Sequence, residues 1–277
     1  MIALPRIGLS NLAWALGHDA EAMALVAEGG GKGVEVAPTR LARWDSLTSV
    51  RLAKFNQDCK AAGLQVSSLQ AIFYDVPDVA LLGETGRFVA MCEHLKRVGD
   101  VALALGAHVA VFGAPRSRLK GALSDRDAQQ LATERLRTLG DIAAEHALCL
   151  GMEALPPYYG CDFLTRPSEV AAMVAACAHP FVQAHLDIAC ATLAGCDPAS
   201  AVRESAPVHF HISEPDLAPL HNPRCDHVAA AHALREIEYD GWCILEMRED
   251  KDDDLAAIRE AVAFAIRVYG SGLEGLS

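Results

Sequence analysis

The chain has 277 residues, 36 acidic and 24 basic, so its formal charge is −12. A composition of 52% hydrophobic and 22% charged residues supports one large buried core and excludes disorder as the main theme. The acidic balance argues against a protein that holds nucleic acid through phosphate contacts, and no apolar run reaches the roughly 18–20 residues that span a bilayer.

Met1 to Trp14 has no basic leader, unbroken apolar segment or small-residue cleavage site, so no secretory start is expected. Nine cysteines stand singly, an odd number with no C-x-x-C pair, which reads as reduced thiols in a cytoplasmic protein. Ile7–Ser10 is the first predicted strand, followed by a helical pattern over Ala20–Glu28. Gly29-Gly30-Gly31-Lys32-Gly33 precedes a strand and lacks a following Ser or Thr after its Lys, so it reads as a helix stop and a turn, not a phosphate loop. Gly33–Ala37 is the second strand, Ser46–Ala62 a helix capped by Asp45 or Ser46, and Gln65–Ile72 the third strand. His108–Gly113 and Cys149–Ala154 are strands four and five, separated by a helix over Ser124–His146 with Ser124 as its cap. Ser168–Cys177 is helical, Val182–Ile188, Val208–Ser213 and Cys243–Met247 complete the strands, and Asp254–Val268 is the closing helix.

The strands are short and nearly continuously apolar, as in parallel sheets buried on both faces. Eight strand–helix units in a chain of this length predict an α/β fold, a single closed (β/α)8 barrel over residues 1–270, with 271–277 as a loose tail. A doubly wound open sheet is the rival architecture.

In such a barrel the site lies at the C-terminal ends of the strands. Strand five ends Gly151-Met152-Glu153, strand six His185-Leu186-Asp187, strand seven reads His209-Phe210-His211-Ile212-Ser213, and strand eight ends Ile244-Leu245-Glu246. Four consecutive strands therefore deliver Glu153, Asp187, His211 and Glu246 to one level. Three carboxylates in apolar strands need a positive charge, and no Lys or Arg lies in these strand cores. One divalent cation meets that need. The oxygen-rich donor set favours Mn2+, Mg2+ or Co2+ and admits Zn2+. His209 shares a face with His211 and is read as a buried neighbour behind the ligands.

These segments, with Ile7-Gly8-Leu9-Ser10 and Tyr239-Asp240-Gly241-Trp242, resemble the sugar-phosphate isomerase/epimerase family with a xylose-isomerase-like barrel, which includes ketose 3-epimerases, hydroxypyruvate isomerase and inosose dehydratase. The resemblance implies the same barrel and the same four cation ligands. Three positions depart from the ketose 3-epimerase pattern: Tyr159 replaces a Glu, Cys190 a His and Leu217 an Arg. The segment Ser213–Pro219 therefore builds a different pocket wall, and Glu214 within it is a candidate for substrate contact.

Further substrate contacts are expected from the other strand ends. Glu35 is expected to bond a sugar hydroxyl or to pair with Arg6 or Arg40. Gln70 can serve the same purpose. Trp14, Phe73 and Tyr74 can wall an apolar sugar face or pack in the core. Arg116 and Arg118 can clamp a phosphate or carboxylate, or stay solvated. His227 is read as a pocket acid, base or donor, or as an exposed residue beside a capping Asp226.

The sequence thus predicts an isomerase or epimerase that moves a proton at the carbon next to a carbonyl held by the cation, with Glu153 and Glu246 as the proton carriers. Its partner would be a small carbohydrate, sugar phosphate or keto acid. A dehydratase of a polyol ketone shares the first step. An apurinic-type endonuclease and a non-catalytic sugar-binding barrel are weaker alternatives. No nucleic acid or membrane partner is expected, and a homo-oligomer is compatible with the sequence.

Overall fold

The computed structural model describes residues 5–270. The tail expected at 271–277 lies outside them. Eight parallel strands close into one barrel in chain order. They are β1 (Arg6–Ser10), β2 (Gly33–Val36), β3 (Gln65–Leu69), β4 (Val109–Phe112), β5 (Cys149–Glu153), β6 (Val182–Asp187), β7 (His209–Ser213) and β8 (Trp242–Glu246). Helices α1 (Asp19–Glu28), α2 (Pro38–Leu41), α3 (Ser49–Ala61), α4 (Thr85–Leu105), α5 (Asp125–Ala144), α6 (Pro167–Cys177), α7 (Ile188–Leu193), α8 (Pro198–Ser205), α9 (His227–Glu236) and α10 (Asp254–Ala265) cover the outside, and a π-helical turn over Ile266–Gly270 follows. No helix among the described residues is long and apolar enough to cross a membrane.

Strand alternation explains how apolar strands carry a polar interior. Along β7, His209, His211 and Ser213 turn one way, and Phe210 and Ile212 turn the other. Phe210 packs against Tyr269 of the π turn, with ring centroids 5.8 Å apart. His209 reaches across the barrel to Glu35 of β2, so the inward face is polar while the outward face meets the helices. Gly8 and Gly33 keep the β1–β2 edge thin. A Cβ at Gly8 would overlap Ile244 Cδ1 and the Gly33 carbonyl, and one at Gly33 would overlap the Trp242 ring.

The strand ladder is uneven. β7 and β8 run in register from His209–Trp242 to Ser213–Glu246. β3 and β4 meet in register at Leu69–Ala110 alone.

Several helices differ from expectation, α2 and α8 being additional to those read from the sequence. The cap of α3 is Thr48, whose hydroxyl accepts from Arg51 N–H at 3.3 Å, because Trp44–Ser46 forms a separate 3-10 turn. α4 was not anticipated, and α7 begins directly at the end of β6. The Ser124 cap of α5 is present, its hydroxyl accepting from Asp127 N–H at 3.2 Å.

Candidate active site and metal centre

The four expected ligands converge at the C-terminal mouth. Ligand atoms of Asp187, His211 and Glu246 lie within 4.8 Å of one another, and so do those of Glu153, Asp187 and Cys190. Asp187 belongs to both groups and is the hinge of the cluster. Its position is fixed by two short hydrogen bonds. Oδ1 accepts from Cys190 N–H and Oδ2 from Ser213 Oγ, each at 2.6 Å, and each oxygen keeps a lone pair free. Asp187 is the N-cap of α7, so the start of that helix aims the carboxylate.

Glu35 organises the imidazoles. Its Oε2 is 2.8 Å from His209 Nε2 and accepts from Ser68 Oγ at 2.7 Å. Its Oε1 is 2.9 Å from His211 Nε2. Turning Nε2 of His211 to a carboxylate leaves Nδ1 facing Glu246 Oε2 at 3.2 Å and Asp187 Oδ2 at 3.8 Å. A carboxylate behind one ring nitrogen is a common means of orienting the other as a metal ligand. Burial raises Glu35, but the His211 and His209 rings outweigh it and hold the carboxyl well below the usual range. Burial lowers His211, but Glu35 and Glu246 outweigh it and raise the ring well above its ordinary value.

Glu153 and Glu246 are raised first of all by burial. Burial, then Asp187 and Glu246, push Glu153 up to about 8. Burial also raises Glu246, against the opposing pull of His211. Like charges gathered out of water fit a divalent cation, and three carboxylates with one imidazole are a suitable donor set. Gly113, at the end of β4, makes room for this arrangement, since a Cβ there would overlap Glu153 Oε2.

Two cavities flank the cluster. The larger, about 440 Å3, is lined on its polar side by Gln70, Arg116, Ser117, Glu153, His211 and Glu246, and on its apolar side by residues that include Phe73 and Tyr74. The smaller, about 230 Å3, is lined by Glu153, Asp187, Glu214 and Glu246 together with Tyr159, Cys190 and Leu217. Glu153 and Glu246 line both.

The remaining expected contacts separate. Gln70 is buried at the larger cavity with neither side-chain amide atom bonded among the described residues, and Arg116 stands exposed at its rim. Glu35 is fully buried, its carboxylate faces His209 and His211, and it pairs with neither Arg6 nor Arg40 among the described residues. Trp14 is buried in the core, its Nε1–H donating to Asp19 at 2.7 Å, and it lines neither cavity. His227 is buried and lines neither of these two cavities. Its Nε2 is 2.9 Å from Glu214 Oε1 and its Nδ1 is 2.8 Å from Tyr269 OH. Glu214 lines the smaller cavity, but its carboxylate is engaged by His227 and by the Arg224 and Cys225 N–H groups. Together they brace the loop after β7.

Sequence reasoning placed Cys190 and Ser213 in an altered pocket without seeing their contacts with Asp187, and it passed over Ser68. Arg118 also differs from a solvated arginine: it is fully buried, its three side-chain nitrogens have no hydrogen-bond partner among the described residues, and its charge opposes the rise in Glu153.

The model of the xylose isomerase-like TIM barrel family matches residues 23–268. The chain belongs to this family. Among solved structures, this xylose isomerase-like barrel is similar to D-psicose 3-epimerase in the presence of D-fructose, at 18% identity over 96% of this chain and 100% of that one, with a TM-score of 0.80. It is also similar to apo 3-keto-D-glucoside 4-epimerase from E. coli, at 19% identity over 94% and 98%, TM-score 0.74. AP endonuclease, family 2 from Brucella melitensis gives 18% identity over 96% and 100%, TM-score 0.75. At these identities the likeness is one of fold. Comparison with curated protein sequences finds no significant match.

Proposed function

We propose that this protein is a divalent-metal-dependent isomerase or epimerase that moves a proton at the carbon beside the carbonyl of a small carbohydrate, sugar phosphate or keto acid. The observation that carries the reading is that Glu153 and Glu246 both line both cavities, with Asp187 and His211 of β6 and β7 between them. The epimerase structures of similar fold support it.

Glu153, Asp187, His211 and Glu246 would hold the cation, which when bound supplies a Lewis acid that makes the neighbouring C–H more acidic. Glu35 keeps His211 turned towards the site, and Ser213 and Cys190 N–H fix Asp187. Glu153 and Glu246 flank the substrate carbon from β5 and β8. One carboxylate takes the proton from that carbon on one face, and the other gives a proton back on the opposite face. Burial and like charge raise both carboxyls in the ion-free chain, and a bound cation would lower their basicity, so each would act on a proton already made acidic by the same ion. Gln70, whose side-chain amide has no hydrogen-bond partner among the described residues, would be available to bond a substrate hydroxyl or carbonyl. Arg116 at the rim can meet an anionic substituent.

The test is a screen of ketoses, ketose phosphates, hydroxypyruvate and inososes, followed by turnover in deuterated water. The reacting carbon should acquire deuterium, and Glu153→Gln and Glu246→Gln should each lose at least about 10²-fold in rate, with ion occupancy checked in each. Product without solvent deuterium would overturn the two-carboxylate proton transfer.

A further inference from the structure

Cys190 brings sulfur to a cluster of oxygen and nitrogen donors. It is 6% exposed and lines the smaller cavity. Its thiol donates to Glu153 Oε1 at 3.9 Å. Its sulfur and single oxygens of Glu153 and Asp187 all lie within 4.8 Å of one another. Donors bound to one ion at about 2.0–2.3 Å stand roughly 3–4 Å apart, so a small inward movement brings all three onto one centre. The backbone fixes this placement, because Cys190 N–H is held by Asp187 Oδ1 in the first turn of α7.

A second observation points to a ligand at the same place. His185 is 1% exposed, neither of its ring nitrogens has a hydrogen-bond partner among the described residues, and its Nε2 faces Glu153 Oε1 at 4.0 Å. A buried, unbonded imidazole is costly unless something polar completes its surroundings. The oxygen it faces is the one that the Cys190 thiol also approaches.

We propose that Cys190 is a direct sulfur ligand of the cation held by Glu153, Asp187, His211 and Glu246, and that it makes the centre prefer a thiophilic ion, Zn2+ or Co2+, over Mg2+. The inference rests on the metal centre of the proposed function. As the sulfur–metal bond forms, the S–H bond breaks and its proton leaves to solvent; neither partner changes oxidation state. Thiolate ligation draws a site towards Zn2+ and similar ions, whereas carboxylate and water suit Mg2+.

The test loads the chelated full-length protein with Co2+ and records its near-ultraviolet spectrum. A sulfur-to-cobalt charge-transfer band is expected at one ion per chain. It should vanish in Cys190→Ser, which keeps the other eight cysteines. That variant should also bind Zn2+ at least about tenfold more weakly, equivalent to about 1.4 kcal/mol. X-ray absorption at the zinc edge of the unmodified protein gives a check that needs no variant: a sulfur neighbour at about 2.3 Å is expected. Stoichiometric cobalt without the charge-transfer band, or a zinc shell of nitrogen and oxygen alone, would overturn the sulfur ligand and leave the metal centre standing. No uptake of Co2+, Zn2+, Mn2+ or Mg2+ would overturn the metal centre itself, and the sulfur ligand with it.

Discussion

The carboxylate of Glu153 lies against the bare Cα of Gly113, with no space between β4 and β5 for a methyl group. One side chain of the proposed centre is thus positioned by the absence of another on the neighbouring strand. Gly113→Ala should displace Glu153 Oε2 while leaving the barrel folded. We expect divalent-ion affinity to fall by about 10–100-fold, the scale set by residues that orient ligands. Calorimetry with Mn2+ or Co2+, beside a thermal scan, tests this. Unchanged affinity would show that Glu153 is not a ligand in its observed position.

Ion removal should be visible without any substrate. An ion that binds only the folded chain stabilises it by about 2.7 kcal/mol at a hundred times its dissociation constant. Thermal midpoints should therefore rise with added ion and return on chelation. Glu246→Gln should blunt the rise, since it removes one of three negative donors.

Glu35→Gln probes the support behind the ligands. The variant keeps much of the shape but gives His209 and His211 a weaker, neutral partner. Ion affinity should fall by about 10–100-fold, although residue 35 would touch neither ion nor substrate. Titrating the variant with the same ions, against Gln70→Ala as a neighbouring control, separates the two roles. Gln70→Ala should bind the ion normally and raise KM, as expected for a substrate contact.

In the ion-free protein Glu153 should contribute a pH dependence of definite sign. Its carboxyl, ordinarily near 4.5, is pushed up to about 8 by burial and by Asp187 and Glu246. A raised carboxyl takes up a proton on folding, so this contribution falls as pH rises between those values. Glu35 acts oppositely: its lowered carboxyl stabilises above the ordinary value, and that stability is lost as pH falls through the folded one. Thermal scans of chelated protein from pH 5 to pH 8, referenced to the same protocol, should show a shallower decline for Glu153→Gln than for the unmodified chain. Equal slopes would contradict the raised carboxyl.

The convergence of Glu153, Asp187, His211 and Glu246 was legible because strand periodicity is local. Two residues apart on β7 means the same face, and that suffices to send His209 and His211 inward together. The role of Glu35 was not legible, because its partners belong to β7, across the barrel and 174 positions away for His209. Nothing near Glu35 distinguishes a carboxylate that meets a substrate from one that meets an imidazole. The helix α4 was hidden for another reason. Gly99 interrupts its pattern, yet a Cβ there would overlap the His146 ring, so tertiary packing demands a residue that local propensity disfavours. The β7 loop shows the same limit: Glu214 lines the smaller cavity, but its link through His227 to Tyr269 could not be read from position.

The uneven strand ladder divides the barrel mechanically. The β7–β8 wall, which carries His211 and Glu246, is stitched along its length, whereas β3 and β4 share a single in-register rung directly below the cavity lined by Gln70 and Gly113. Fewer shared backbone bonds lower the cost of local opening. Local opening is therefore expected to cost less on the β3–β4 side than at the opposite staves that carry the proposed ligands. A change of substrate size could thus be accommodated by that seam without retuning the carboxylates.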